Sequence, residues 1–374
     1  MGMTSALGRL ASRSLHVLLV ETPGAFELRA AVERSCRERG WPLAVSPTDA
    51  DVVLICGRDG DALGEAVDAV WRQVPGPRAR GEIRSPSEVE ATLDRLAAVV
   101  TGWRPEQDPI ADIGAGRAND AGNGHDDHHA PDDGTDDHTD DESDEEMDMS
   151  GPGGIPLASG AEDRDGLEMD QLHLRLGPVL PCWPAGLAVW CSLQGDVVTE
   201  IEVETAPVGQ VSPHPSVAAA VRLDAAGQLL RLAGADDLAT AAHRARDVLL
   251  ADPTGPESEL ESESESANLT ASLRRRVERA WILRWSLRGL GVVEQVDAAD
   301  HGWSPIWVGD VWDRLLRLLE PMTEPFTPVQ LDEVAAALPL LLPGRELATA
   351  RLVVASLVAQ QAAYADVQAL GTGA

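Results

Sequence analysis

A chain of 374 residues, 44% of them hydrophobic, is long enough to bury two cores, and its 30 basic against 62 acidic residues give a formal charge of −32. That balance lacks the basic surface a phosphate backbone requires, so nucleic acid is not an expected partner. All 30 basic residues are arginine, which removes lysine Schiff-base and lysine general-base chemistry.

No apolar run approaches the roughly 20 residues a membrane helix needs, and Arg9 and Arg13 interrupt Met1 to Leu18. Neither a span nor a secretory signal is expected. The chain reads as cytoplasmic, with at most a peripheral place on the cytoplasmic membrane face.

In chain order, Leu15 to Val20 is a continuous apolar run suited to a strand buried on both faces. A helix over about Ala25 to Arg39 follows, then a second buried strand at Val52 to Ile55 and a helix near Ala62 to Gln73. Ser85, Pro86 and Glu88 form a helix start of the capping-box kind, after which Val89, Leu93, Leu96 and Val100 make one apolar stripe. The alternation predicts a small parallel sheet with covering helices over residues 1–104.

Residues 105–160 are poor in apolar side chains and dense in Asp, His and Gly, with fourteen acids between Asp120 and Asp148. Such a composition predicts a disordered linker, about 55 residues spanning on the order of 40 Å as a flexible coil. Residues 161–374 begin with a hairpin, Ala188 to Leu193 and Val197 to Val203, turning at Gln194-Gly195-Asp196. Helices are predicted near Ala239 to Leu250, Ala271 to Leu290, Val308 to Leu319, Gln330 to Leu341 and Arg345 to Ala369. The Glu/Ser alternation inside 251–268, with five glutamates from Glu257 to Glu265, predicts a second disordered loop.

The run Ser46-Pro47-Thr48-Asp49-Ala50-Asp51-Val52, followed by Gln73-Val74-Pro75-Gly76-Pro77, resembles the cluster-bearing small subunit of respiratory complex I and its hydrogenase small-subunit relatives. Leu176-Gly177-Pro178, Pro181 and Leu193-Gln194-Gly195-Asp196-Val197-Val198 are similar to the opening hairpin of the complex I quinone-site subunit and of nickel-iron hydrogenase large subunits. Leu273 to Gly291 and Gly309 to Glu320 resemble helices of the same subunit. With the periodicity, the resemblance implies a flavodoxin-like α/β domain followed by an α+β domain with an N-terminal β-hairpin and a helical bundle.

The resemblance also implies chemistry for which the side chains are missing. Where the family holds its iron-sulfur cluster, this chain reads Glu21-Thr22-Pro23-Gly24, Arg80-Gly81-Glu82-Ile83 and Arg84-Ser85-Pro86-Ser87, with no thiolate. Leu180 stands where the family has a histidine near the quinone head group, Tyr364 is the single tyrosine, and the paired C-x-x-C motifs for nickel are absent. The expectation is a non-catalytic accessory subunit of a complex-I-like or hydrogenase-like membrane-attached redox assembly. It would have no resident cofactor and would take subunits of a membrane-bound redox or proton-translocating complex as partners. The alternative is an active NADH:quinone oxidoreductase-type subunit with unrecognised ligands.

Further features carry open readings. His125, His128, His129 and His138, interleaved with aspartates, could hold Ni²⁺ or Zn²⁺ weakly or serve only as solvated linker. Cys36, Cys56, Cys182 and Cys191 lack close spacing and read as buried thiols, with a shared four-cysteine metal site as the sharper alternative. Arg274, Arg275, Arg276 and Arg279, ahead of Trp281 and Trp285, read either as a docking face for an acidic partner or for the acidic linker itself, or as a solvated face whose stems cover the indoles. Trp303, Trp307 and Trp312 read as packing, and His16, His173, His214, His243 and His301 as structure or surface.

Overall fold

A computed structural model of the chain describes residues 14–58, 61–103, 159–162, 168–206, 215–251, 256–321 and 331–357. It is a mixed α/β fold with a small parallel sheet and many helices. Strands β1 (Val17–Glu21), β2 (Val52–Cys56) and β3 (Ala79–Ile83) pair in parallel in that order, with Val17 opposite Val52 and Val52 opposite Ala79. All of β2 is buried, as expected of an unbroken apolar strand covered on both sides. Alternation along the strands divides two cores. Val17, Val52, Leu54 and Cys56 meet α1 (Phe26–Arg39) and α3 (Val89–Gly102) through Leu28, Val32, Leu93 and Leu96. Leu18, Val20, Val53 and Ile55 meet α2 (Asp61–Gln73) through Val67. On the open side of β1, Leu43 forms a parallel bridge to Val17, and the Ala44 N–H donates to the Val17 carbonyl at 2.9 Å.

The predicted helix start at Ser85 is used with a one-turn shift. Ser85 caps a single 3₁₀ turn, Pro86–Glu88, by accepting from the Ser87 N–H, and the Glu88 carboxylate accepts from the Arg84 N–H at 3.1 Å. The α-helix proper then begins at Val89.

The rest of the chain builds a four-stranded antiparallel sheet in the order β4 (Ser159–Glu162), β5 (Glu168–Leu176), β6 (Leu187–Gln194), β7 (Val197–Thr205). The predicted hairpin is β6–β7, closed at Gly195, whose φ of +64° suits a tight turn. β5 is an additional strand beyond the expected hairpin, although Leu172, Leu174 and Leu176 alternate toward the core as a half-buried strand requires. Helices α4 (Pro215–Leu232), α5 (Asp236–Leu249), α6 (Pro256–Arg279), α7 (Trp281–Leu287), α8 (Gln295–His301), α9 (Val311–Leu318), α10 (Leu331–Leu341) and α11 (Leu347–Leu357) complete it. Their core gathers Trp183, Leu187, Leu230, Ala242, Leu273, Trp307, Leu315 and Val353. Trp307 and Trp312 are buried as packing, in line with the sequence reading.

The helical region departs from the sequence expectations in three places. The Glu/Ser alternation, read as a loop within 251–268, is the first half of α6. Glutamate is a good helix former, acids favour the N-terminal end of the helix dipole, Pro256 suits the first turn, and Ser266 is buried with its hydroxyl donating to the Ala245 carbonyl at 3.0 Å. The single helix expected over Ala271 to Leu290 breaks at Ala280, which leaves helical geometry with ψ of 81°. Helices α4 and α8 have no counterpart among the expected helices. The linker 105–160 lies almost wholly outside the described residues, as does everything after Leu357.

The two halves meet along α1. Phe26 packs on Ala220 and Val221 of α4, α1 touches α5, and Val179 packs against the Leu18 and Val20 side of the parallel sheet. No helix among the described residues is long and apolar enough to cross a membrane.

Candidate functional site

At that junction lies a cluster of charge that sequence reasoning did not find. Helix α1 presents Arg29 and Glu33 one turn apart, α4 presents Asp224 and Gln228 one turn apart, and α5 supplies His243, Arg246 and Asp247. Arg29 is a fork with three carboxylate partners: Glu21 at the end of β1 (2.5 Å), Glu33 (2.5 Å) and Asp224 (2.6 Å). Arg246, wholly buried, donates to Glu33 (2.6 Å), Asp224 (2.5 Å) and Asp247 (2.8 Å). Each oxygen of Glu33 and of Asp224 therefore accepts from a guanidinium. Gln228 adds a bond to Asp224 at 2.8 Å, and Arg37 of α1 pairs with Asp247 of α5.

Burial alone would raise the Glu33 carboxyl, but Arg29 and Arg246 outweigh it and hold Glu33 well below the usual carboxylate range. Asp224 is lowered by the same two guanidiniums against the same opposing burial. Glu21 goes the other way: burial outweighs the Arg29 charge and raises it. The Glu33 and Asp224 carboxylates are thus ionised at neutral pH and closed into the cluster, with planar arginine forks matched to them.

His243 is the exception. It is 2% exposed, its Nε2 lies 4.0 Å from Asp224, and that nitrogen has no hydrogen-bond partner among the described residues. Burial pushes its pKa down to about 4, so the ring is neutral at pH 7. Gly227 permits this placement, because a Cβ there would overlap the imidazole. Of the two readings of His243, structure or surface, the residue is buried structure, but its Nε2 is not satisfied.

Glu33, Asp224 and His243 form the one group among the described residues whose ligand atoms, all within 4.8 Å of one another, could hold a metal ion. A cation there would have to displace two guanidiniums from four carboxylate oxygens, a heavy electrostatic cost in a buried site. The histidines His125, His128, His129 and His138 lie outside the described residues.

Beside the cluster is a cavity of about 370 Å³, bounded by β1 and Leu43–Val45 on one side and by the Pro178–Trp183 turn, α4 and α11 on the other. Glu21, Arg29, Glu33 and His243 reach it from the cluster, and Arg231 of α4 and Arg351 of α11 line it as well. Leu180 contributes an apolar side chain to the lining.

The cysteines are not gathered into one site. Cys36 and Cys56 sit in the parallel-sheet core and Cys191 in the helical one, while Cys182, at φ of +54°, lines the cavity. Burial pushes their thiols up, Cys36 to about 12 and Cys182 to about 11, so they are protonated and inert at neutral pH. The arginine stems expected to cover Trp281 and Trp285 do not: the two indoles are 73% and 80% exposed. No family model matches the chain, and none of the curated proteins matches it in sequence.

Proposed function

We propose that the chain is a non-catalytic accessory subunit, in which a small-subunit-like and a large-subunit-like module are fused as a scaffold for a complex-I-like or hydrogenase-like membrane-attached redox assembly. The observation that carries this reading is the fully paired Arg29–Glu33–Asp224–Arg246 cluster, which joins the two halves through buried ion pairs. Every acid in it is committed to a structural pair, so none is free for proton transfer. Fusion on one chain keeps the halves at an effective concentration of roughly millimolar, so the contact survives without a cofactor between them.

The flavodoxin-like reading of the first half is supported by Leu43. Counted as a rudimentary strand, it gives the spatial order second, first, third, fourth, which is that of doubly wound sheets. At the strand ends, where the resemblance puts a cluster, the local groups satisfy one another. Thr22 donates to the Cys56 carbonyl at 3.0 Å, Arg84 pairs with Glu82, and a side chain at Gly57 would overlap Thr22. These groups do not fit an iron-sulfur cluster, which needs thiolates, so no electron-transfer step is assigned to them.

Docking is proposed to use α7, where Trp281, Trp285 and Ile282 stand exposed and Arg284 and Arg288 flank them. In a chain of net charge −32, such a basic aromatic face suits an acidic protein surface, here that of the assembly's other subunits at the cytoplasmic membrane face. Isolation of the tagged chain from its native membranes tests this. The expected outcome is co-isolation of redox or proton-translocating subunits, lost on Trp281→Ser with Trp285→Ser; isolation of the intact chain free of such subunits would contradict it. Weak Ni²⁺ or Zn²⁺ binding is the second reading: Glu33, Asp224 and His243 place three ligand atoms within 4.8 Å of one another, and metal analysis of the same preparation decides it.

A further inference from the structure

The cavity walls are not balanced in charge. Glu21 and Glu33 are paired with Arg29 and Arg246. Arg231 and Arg351 are not matched in this way. Arg351 spends one terminal nitrogen on the Pro181 carbonyl (3.1 Å), and its Nε is buried without a hydrogen-bond partner. Arg231 makes no side-chain hydrogen bond or ion pair among the described residues. Both guanidiniums line the cavity, as does Cys182 of the Pro178–Trp183 turn. His243 Nε2, also unpartnered, belongs to a ring that lines the same space. Buried polar atoms without partners are rare in folded proteins, and two of them, Arg351 Nε and His243 Nε2, on residues lining one void beside the unpaired, half-buried Arg231, indicate a missing ligand.

We propose that this cavity binds a small amphipathic carboxylate, its head held between Arg231 and Arg351 and its apolar body lying along Leu43, Val45, Val179 and Leu180. The volume, about 370 Å³, is in the lower range of small-molecule sites, and the larger share of the wall is apolar. A guanidinium fork matches a carboxylate in plane, and a single negative charge is the match for two cations that already have Glu21 and Glu33 nearby; a dianionic phosphate would be repelled more strongly by both. The neutral His243 ring offers Nε2 as a further polar contact without adding charge.

Titration calorimetry of the intact chain at pH 7 with octanoate and with octan-1-ol tests this. One octanoate is expected to bind per chain, at least roughly tenfold more tightly than the alcohol of equal length. Arg231→Gln and Arg351→Gln are each expected to weaken octanoate roughly tenfold and to leave octanol unchanged. No octanoate heat, equal affinity for the alcohol, or indifference to Arg231→Gln would overturn the proposal. Should Arg351→Gln fail to fold, the alcohol comparison and the variant at half-buried Arg231 still decide it. The readout is a ligand heat, so it stands or falls independently of co-isolation with redox subunits.

Discussion

Asp224 illustrates how much rests on single side chains at the junction. It bonds Arg29, Arg246 and Gln228 at once, and its bond to Arg29 joins residues 195 positions apart in sequence. Asp224→Asn keeps the shape but leaves two buried guanidiniums short of charge, and breaking a buried pair in this way costs about 3–5 kcal/mol. Urea denaturation is expected to show a loss of that size, whereas a loss under about 1 kcal/mol would mean that the cluster is solvated. His243 gives a pH signature. Its folded pKa of about 4 lies below the ordinary 6.5, so the unfolded chain takes up a proton that the folded chain refuses. Stability should therefore fall as pH drops from about 6.5 to about 4, by roughly 3 kcal/mol at the bottom of that window. His243→Leu is expected to flatten this slope, measured as midpoint against pH. The carboxylates Glu33 and Asp224, held low, contribute fully above the ordinary carboxylate range of about 4 to 4.5 and lose that contribution as pH falls below it, so the slope between about pH 6.5 and 5 separates His243 from them.

Two helical glycines carry opposite expectations. Gly227 of α4 faces the His243 ring, and Gly227→Ala should cost about 1–3 kcal/mol through overpacking. A Cβ added at Gly64 of α2 would meet nothing within 4 Å, so Gly64→Ala should stabilise by about 1 kcal/mol. Thermal unfolding of the two variants side by side checks the pair of signs.

At the scale of elements, the buried strands and apolar helix stripes are legible in the sequence because their periodicity is set by one core face. Val52 to Cys56 and the β6–β7 hairpin match their expected positions nearly to the residue. Helix α6 does not, because its acidic half has no apolar stripe and its helicity comes from propensity, the dipole and packing on α5. Ser264→Pro tests this segment: in a helix interior it should cost about 3 kcal/mol, while a disordered loop would tolerate it without change in the denaturation midpoint. The candidate site is illegible for a related reason. Arg29 and Glu33 stand four apart on a helix predicted from sequence, which is a visible signal. Their partner Asp224 lies on α4, a helix outside the sequence expectations, and nothing local marks a charged residue as facing another half of the chain.

For the molecule as a whole, the proposed accessory role takes the two halves as modules held together by structure alone, a reading supported by the paired cluster. The charge at the junction is spent on holding α1 against α4 and α5, while Trp281 and Trp285 stand exposed on α7. Iron and acid-labile sulfide, assayed on protein isolated anaerobically from its native source, address this most directly. The expected result is a colourless protein with neither in stoichiometric amount; about four irons and four sulfides per chain, with a reducible paramagnetic signal, would contradict it.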